Sequence, residues 1–201
     1  MLCIRFFKRV SNNCETMKQF NVLWSGREYN SLENCVIAMR NGLLDVRSSI
    51  VGWYRNEAYR VNYSLSTNTQ GEVASLHLEI QHNTRTLQHE LLKRGDDGWK
   101  HNGNNAPEFK GCVDVDISLS PLTNTLPINR LSLSVGDSRV IRVIYFDLLS
   151  DRIHPVSQRY TRLSNMSYRY ENVPNDFEAI IIVDEHGIVA GTEAAEMIQN
   201  S

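Results

Sequence analysis

Hydrophobic and polar residues alternate along most of the chain. Tyr59, Val61, Tyr63 and Leu65 are separated by Arg60, Asn62 and Ser64, and Ala74, Leu76, Leu78 and Ile80 by Ser75, His77 and Glu79. Leu87, His89 and Leu91 repeat the pattern, as do Val113, Val115, Ile117 and Leu119. Successive strand side chains point to opposite faces, so each segment predicts a strand with one wet and one dry face. Turn chemistry separates them at Asn41-Gly42, Thr69-Gln70-Gly71, His82-Asn83-Thr84 and Gly95–Gly98. Val140–Phe146 and Ala179–Val183 are apolar at nearly every position and read as central strands covered on both sides. Tyr168–Glu171 and His186–Val189 add shorter ones.

Helical periodicity is scarce. Ser31–Met39 has room for a turn or two. Thr192–Ile198 is the better helix, with Thr192 as N-cap before good helix formers. The pattern predicts a mainly β domain of about ten to twelve strands with a short C-terminal helix. So little helix cannot cover so many half-apolar strands. The sheet must bury its dry face against itself, by curling or by stacking.

At 201 residues the chain suits one domain with a sizeable core. A net charge of −2 gives no global pull toward nucleic acid or an anionic surface. Cys3, Cys14, Cys35 and Cys112 lie at no CxxC spacing, and reduced thiols are the expected state. No apolar run reaches the ~20 residues of a membrane-spanning helix. Residues 1–16 lack a signal-peptide core. Residues 1–18 are therefore expected to be a disordered leader or an overlong start, with a single domain over 19–201 and a cytoplasmic location.

The candidate chemistry centres on Gly111–Arg130. Asp114 and Asp116, at i and i+2, share one strand face. Paired carboxylates hold divalent metals or divide acid and base roles in glycoside cleavage, and they equally form a solvated face. Thr123-Asn124-Thr125 lies between Pro121 and Pro127, which rules out a regular central strand and predicts a loop. Its amide and hydroxyls either satisfy the loop or read sugar hydroxyls. Gln158 and Tyr160 share a face opposite Arg159. Arg130 or Arg159 is expected to pair with Asp114 or Asp116. Trp24, Trp53, Trp99, Tyr145 and Tyr160 are core or stacking residues. No HxH, HExxH, GxSxG, P-loop or GxGxxG motif occurs, so no metal or cofactor is expected.

The segment Gly111–Leu133 followed by Gln158-Arg159-Tyr160 resembles the bacterial family named Putative glycolipid-binding. Trp24-Ser25-Gly26, Tyr59–Tyr63, Gly98-Trp99, Phe177–Ala179 and Val183–Val189 match it as well. The resemblance covers about Phe20 to Val189. Asn129 departs from it, standing where the family commonly has an arginine. The resemblance implies a spiral β-roll: a single strongly curved antiparallel sheet, half-barrel-like and similar in broad architecture to lipoprotein carriers. It also implies a non-enzymatic protein holding a lipid or glycolipid in the concave face. About ten buried methylenes would give such a ligand roughly 8 kcal/mol before binding costs. Asn124, Arg130 and Gln158 are expected at its polar head, with Arg159, Tyr160, Asp114, Asp116 and Trp99 alongside. The alternatives are an enzyme on a glycoside or sugar nucleotide using Asp114 and Asp116, and a protein-interaction module.

Overall fold

The computed structural model describes residues 3–12, 17–95, 98–174 and 177–194. In chain order the strands are β1 (Cys3–Asn12), β2 (Met17–Gly26), β3 (Ser31–Arg40), β4 (Leu43–Tyr54), β5 (Glu57–Thr67), β6 (Val73–His82), β7 (Arg85–Arg94), β8 (Gly98–His101), β9 (Asn104–Asn105) and β10 (Asp114–Ile117). Helix α1 (Leu122–Leu131) follows, then β11 (Ser138–Asp147), β12 (Arg152–Arg162), β13 (Ser167–Val173), β14 (Glu178–Val183) and β15 (Val189–Ala194). All strands join one sheet, ordered β10 to β15 and then β1 to β9. β10 runs parallel to β11, and the other neighbours described are antiparallel. The result is the expected curled, mainly β half-barrel with one short helix.

The period-two segments behave as their pattern dictates. On β5, Tyr59, Val61, Tyr63 and Leu65 point inward and are buried, while Arg60 is exposed. The Asn41-Gly42 turn takes positive φ at both residues, 50° and 80°, which suits the Asn-Gly hairpin linking β3 to β4.

Four expectations are corrected. Ser31–Met39 is strand, not helix. Its inward positions are Ser31, Glu33, Cys35 and Ile37, and the two polar ones disguise the alternation. Residues 3–12, expected in a disordered leader, form β1, whose backbone pairs with β2 and β15 and joins the two halves of the sheet. The predicted C-terminal helix begins in β15, where Thr192 pairs with Ile181; residues 195–198 lie outside the described residues. The Pro-bracketed loop is α1. Pro121 serves as its N-cap residue and Pro127 sits inside it.

Helix α1 fills the roll. Leu122 and Leu126, four residues apart, pack into a core formed with β2–β8, Phe109, Ile117 and Phe146. Ile128 and Leu131 pack into a second core with β11–β14. A helix gripped on two sides has apolar residues on both, so no single stripe marks it in the sequence. Trp24 donates its indole N–H to Val189 O at 3.0 Å, and Val189 N donates to Thr125 Oγ1 at 3.2 Å. These bonds tie helix and both halves together. Val140–Phe146 is dry on both faces only from Val143 onward, where β10 pairs alongside; Val140 and Arg142 are exposed. Cys35 and Cys112 are free and buried.

Candidate functional site

The concave face expected to hold a lipid tail is occupied by α1. An open cavity of about 250 Å³ remains at the N-terminal end of α1. Asp116 of β10, Asn124 of α1 and Tyr145 of β11 form one wall. Tyr170 and Asn172 of β13 face them with Phe177, and Glu28 and Tyr29 of the β2–β3 turn close the rim. Ala179, Ile181 and Pro121 add apolar surface.

Side chains behind the wall set the polar groups. Asp116 accepts from Gln158 Nε2 at 2.7 Å on Oδ2 and from Thr123 Oγ1 at 3.0 Å on Oδ1. Asn124 Oδ1 accepts the Tyr160 hydroxyl at 2.8 Å. Asn172 Oδ1 accepts the Tyr170 hydroxyl at 2.7 Å. Both amide oxygens are engaged, which leaves the NH₂ groups of these two cavity-lining residues as donors. Tyr170 and Phe177 meet edge to face, centroids 6.0 Å apart. The Tyr29 carbonyl accepts the Tyr59 hydroxyl at 3.0 Å, which anchors the rim to β5.

Burial raises the Asp116 carboxyl above the ordinary carboxylate range, and the bonds from Gln158 and Thr123 oppose the shift. Burial also raises the Tyr145 phenol, with Asp116 adding to it. The Tyr29 phenol is pushed up to about 12 by burial, then by its hydrogen bond to Glu28. Both phenols stay protonated near neutrality and can donate.

Behind the loop between β10 and α1, Ser120 reaches a group that the sequence reading missed. Glu33 is buried, and its Oε1 accepts three hydroxyls: Ser48 at 2.6 Å, Tyr63 at 2.7 Å and Ser120 at 2.9 Å. Its Oε2 is buried without a partner. Burial pushes the carboxyl up to about 7, against the pull of the three hydroxyls.

The eight predicted site residues separate into groups. Asp116 and Asn124 line the cavity, and Gln158 and Tyr160 stand behind and orient them. Arg130 pairs with Asp114 through both nitrogen arms, Nη2 to Oδ2 and Nε to Oδ1 at 3.3 Å, beyond the cavity lining. Arg159 points the other way and meets Glu171 at 3.4 Å. Trp99 is buried and donates to Cys112 O at 2.9 Å, a core role. Asp114 and Asp116 share the face turned to α1, as their spacing requires, but bind opposite ends of the helix instead of converging. Among the described residues, no group of three or more His, Cys, Asp or Glu side chains is placed to hold a metal. Glu28, Tyr29, Tyr170 and Asn172 were not singled out in the sequence, and Phe177 only as part of the family match. Glu28 and Tyr29 sit in a turn, Asn172 and Phe177 near strand ends and Tyr170 in the middle of β13, and only the curl brings them together.

Asn129, the position that departs from the family pattern, donates from Nδ2 to His186 O at 3.4 Å and docks α1 on the β14–β15 turn. A Cβ at Gly187 would collide with the Asn129 amide, and φ there is +69°.

Among the described residues, no helix is long and apolar enough to cross a membrane. No curated protein matches the chain. The crystal structure of a DUF1089 family protein from Pseudomonas aeruginosa is similar over 96% of this chain and 100% of that one, at 27% identity and a TM-score of 0.73. The family model described as "Putative glycolipid-binding" matches residues 21–195, and the chain belongs to that family.

Proposed function

We propose that the protein binds, without turnover, an amphipathic glycolipid whose polyhydroxylated head group enters the cavity at the N-terminal end of α1. The carrying observation is that the carboxyl residue Asp116 and the amide residues Asn124 and Asn172 line one cavity together with Tyr145, Tyr170 and Phe177. A sugar hydroxyl both donates and accepts. A fixed carboxylate takes its proton while an oriented amide serves its lone pair, and an aromatic ring covers the apolar face of the sugar. The family's description supports the lipid half of the reading. A cavity of about 250 Å³ suits a head group and the first methylenes against Phe177, Ala179 and Ile181. The rest of the tail stays outside the roll.

Calorimetric titration with alkyl glycosides of one tail length and varied sugar tests this. Binding is expected to depend on the sugar and to weaken at least tenfold in Asn124→Ala, since a site built to hydrogen-bond a hydroxyl loses about 1.4 kcal/mol or more with its partner. Affinity that follows tail length regardless of sugar, or an unaffected Asn124→Ala, would overturn it.

A further inference from the structure

Among the described residues that line the cavity, the ionisable acids are Asp116 and Glu28, and there is no lysine, arginine or histidine. The nearby cations are paired with other acids or stand outside the lining. Arg130 pairs with Asp114, Arg159 with Glu171 and Arg152 with Asp147. Arg27, next to Glu28 in the β2–β3 turn, is exposed and outside the lining. His154 meets the Tyr145 ring edge to face, centroids 5.6 Å apart, and is outside it as well.

Asp116 is the informative acid. Asp114, two residues before it on the same face, is fully buried and has a guanidinium partner. Asp116 keeps partial exposure and lines the cavity. The side chains that donate to it, Gln158 and Thr123, are neutral. A carboxylate drawn out of water and held by neutral donors keeps a charge that a cation would offset. The N-terminal end of α1 supplies only about half a positive charge. Asp116 already meets that end through Thr123, which disfavours a second anion such as a phosphate there. Each Asp116 oxygen accepts one of these two bonds and has capacity for another.

Aromatic residues complete the lining: Tyr29, Tyr145, Tyr170 and Phe177. The Tyr170 and Phe177 rings stand at 65° to each other, so they form a corner and not a stack. Aromatic faces attract cations, and cages of such rings take ammonium groups. A carboxylate beside them accepts the N–H bonds of a primary ammonium. The Tyr145 phenol is raised by burial first and then by the charges of Asp116 and Asp147, as a negative field on this wall requires.

We propose that the head group is an amino sugar, with its ammonium held by Asp116 among Tyr29, Tyr145, Tyr170 and Phe177 and its hydroxyls left to Asn124 and Asn172. This rests on the head-group reading and narrows it to one chemical class.

Calorimetric titration of the full chain with three octyl glycosides tests it: a glucoside, its 2-amino-2-deoxy counterpart, and the N-acetyl form of that amine. All share ring and tail, and the pH is set so that the amine is protonated. The amine is expected to bind at least tenfold tighter than either neutral compound, with the difference shrinking as salt is added. Asp116→Asn keeps the side chain's size and removes its charge. It should bring the amine down to the level of the glucoside. If that variant lacks a urea unfolding transition, the three ligands on the wild type decide alone. Equal affinity for all three, or a folded Asp116→Asn that keeps the full preference, overturns the ammonium site and leaves the head-group reading standing. No binding of any of the three strikes the head-group reading, and this one with it.

Discussion

A single carboxyl shows how costly and informative a buried polar residue is. Glu33 has three hydroxyls on one oxygen and none on the other, and burial raises it to about 7. The unfolded chain holds its proton less tightly, with an ordinary value of 4.5. The native state therefore binds more protons between those values, and this group's contribution to stability is present below pH 4.5, declines as pH rises, and is gone above about 7. The decline amounts to about 3 kcal/mol. Asp116, also shifted up by burial, adds to the same trend, so the difference between wild type and Glu33→Gln isolates Glu33. Urea unfolding across pH 5 to 8 is expected to show a clear fall in the wild type and a flatter profile in Glu33→Gln, which carries the neutral form's shape at every pH. Identical profiles would mean that Glu33 stays charged in the fold. The residue also marks a limit of the sequence reading: two polar residues at inward positions make a strand look irregular, and nothing local reveals the hydroxyls that reach Glu33 from β4, β5 and the loop before α1.

Elements were legible where one face is dry and the other wet. β5 and β6 could be read from alternation alone, and the turn at Asn41-Gly42 from its glycine. α1 could not, because two prolines argue against helix and its apolar residues serve two cores. Its burial explains why the sequence tolerates this. Pro127 removes one backbone donor, and helical stability comes from packing more than from propensity. Leu126, 1% exposed, carries much of that packing. Leu126→Ala should cost about 2–5 kcal/mol, read as a lowered urea midpoint. A loss under about 1 kcal/mol would show that the roll collapses readily around a smaller helix, and that α1 is a loosely held plug.

At the scale of the molecule, the curl decides what the motif can do. The segment Gly111–Arg130, singled out in the sequence, holds residues with different tasks. Asp114 and Arg130 fasten the C-terminal end of α1, while Asp116 and Asn124 face the cavity at the other end. That division was invisible in a segment read as strand and loop, since it needs a helix folded back on β10. The aromatic wall was hidden for a different reason: Tyr145 could be named only singly, because Tyr29, Tyr145 and the neighbours Tyr170 and Phe177 come from three separate parts of the chain and converge only when the sheet closes. The interior is a packed core around a helix, and the open cavity sits at the end of that helix.

Amide chemical-shift mapping of the labelled protein with an alkyl glycoside tests that arrangement most directly. The account predicts perturbations centred on Asp116, Asn124, Tyr145, Asn172 and Phe177, with Leu126 and the inward residues of β5 and β6 unmoved. Shifts spreading through Leu122, Leu126, Val61 and Leu78 would place the tail inside the roll and contradict it.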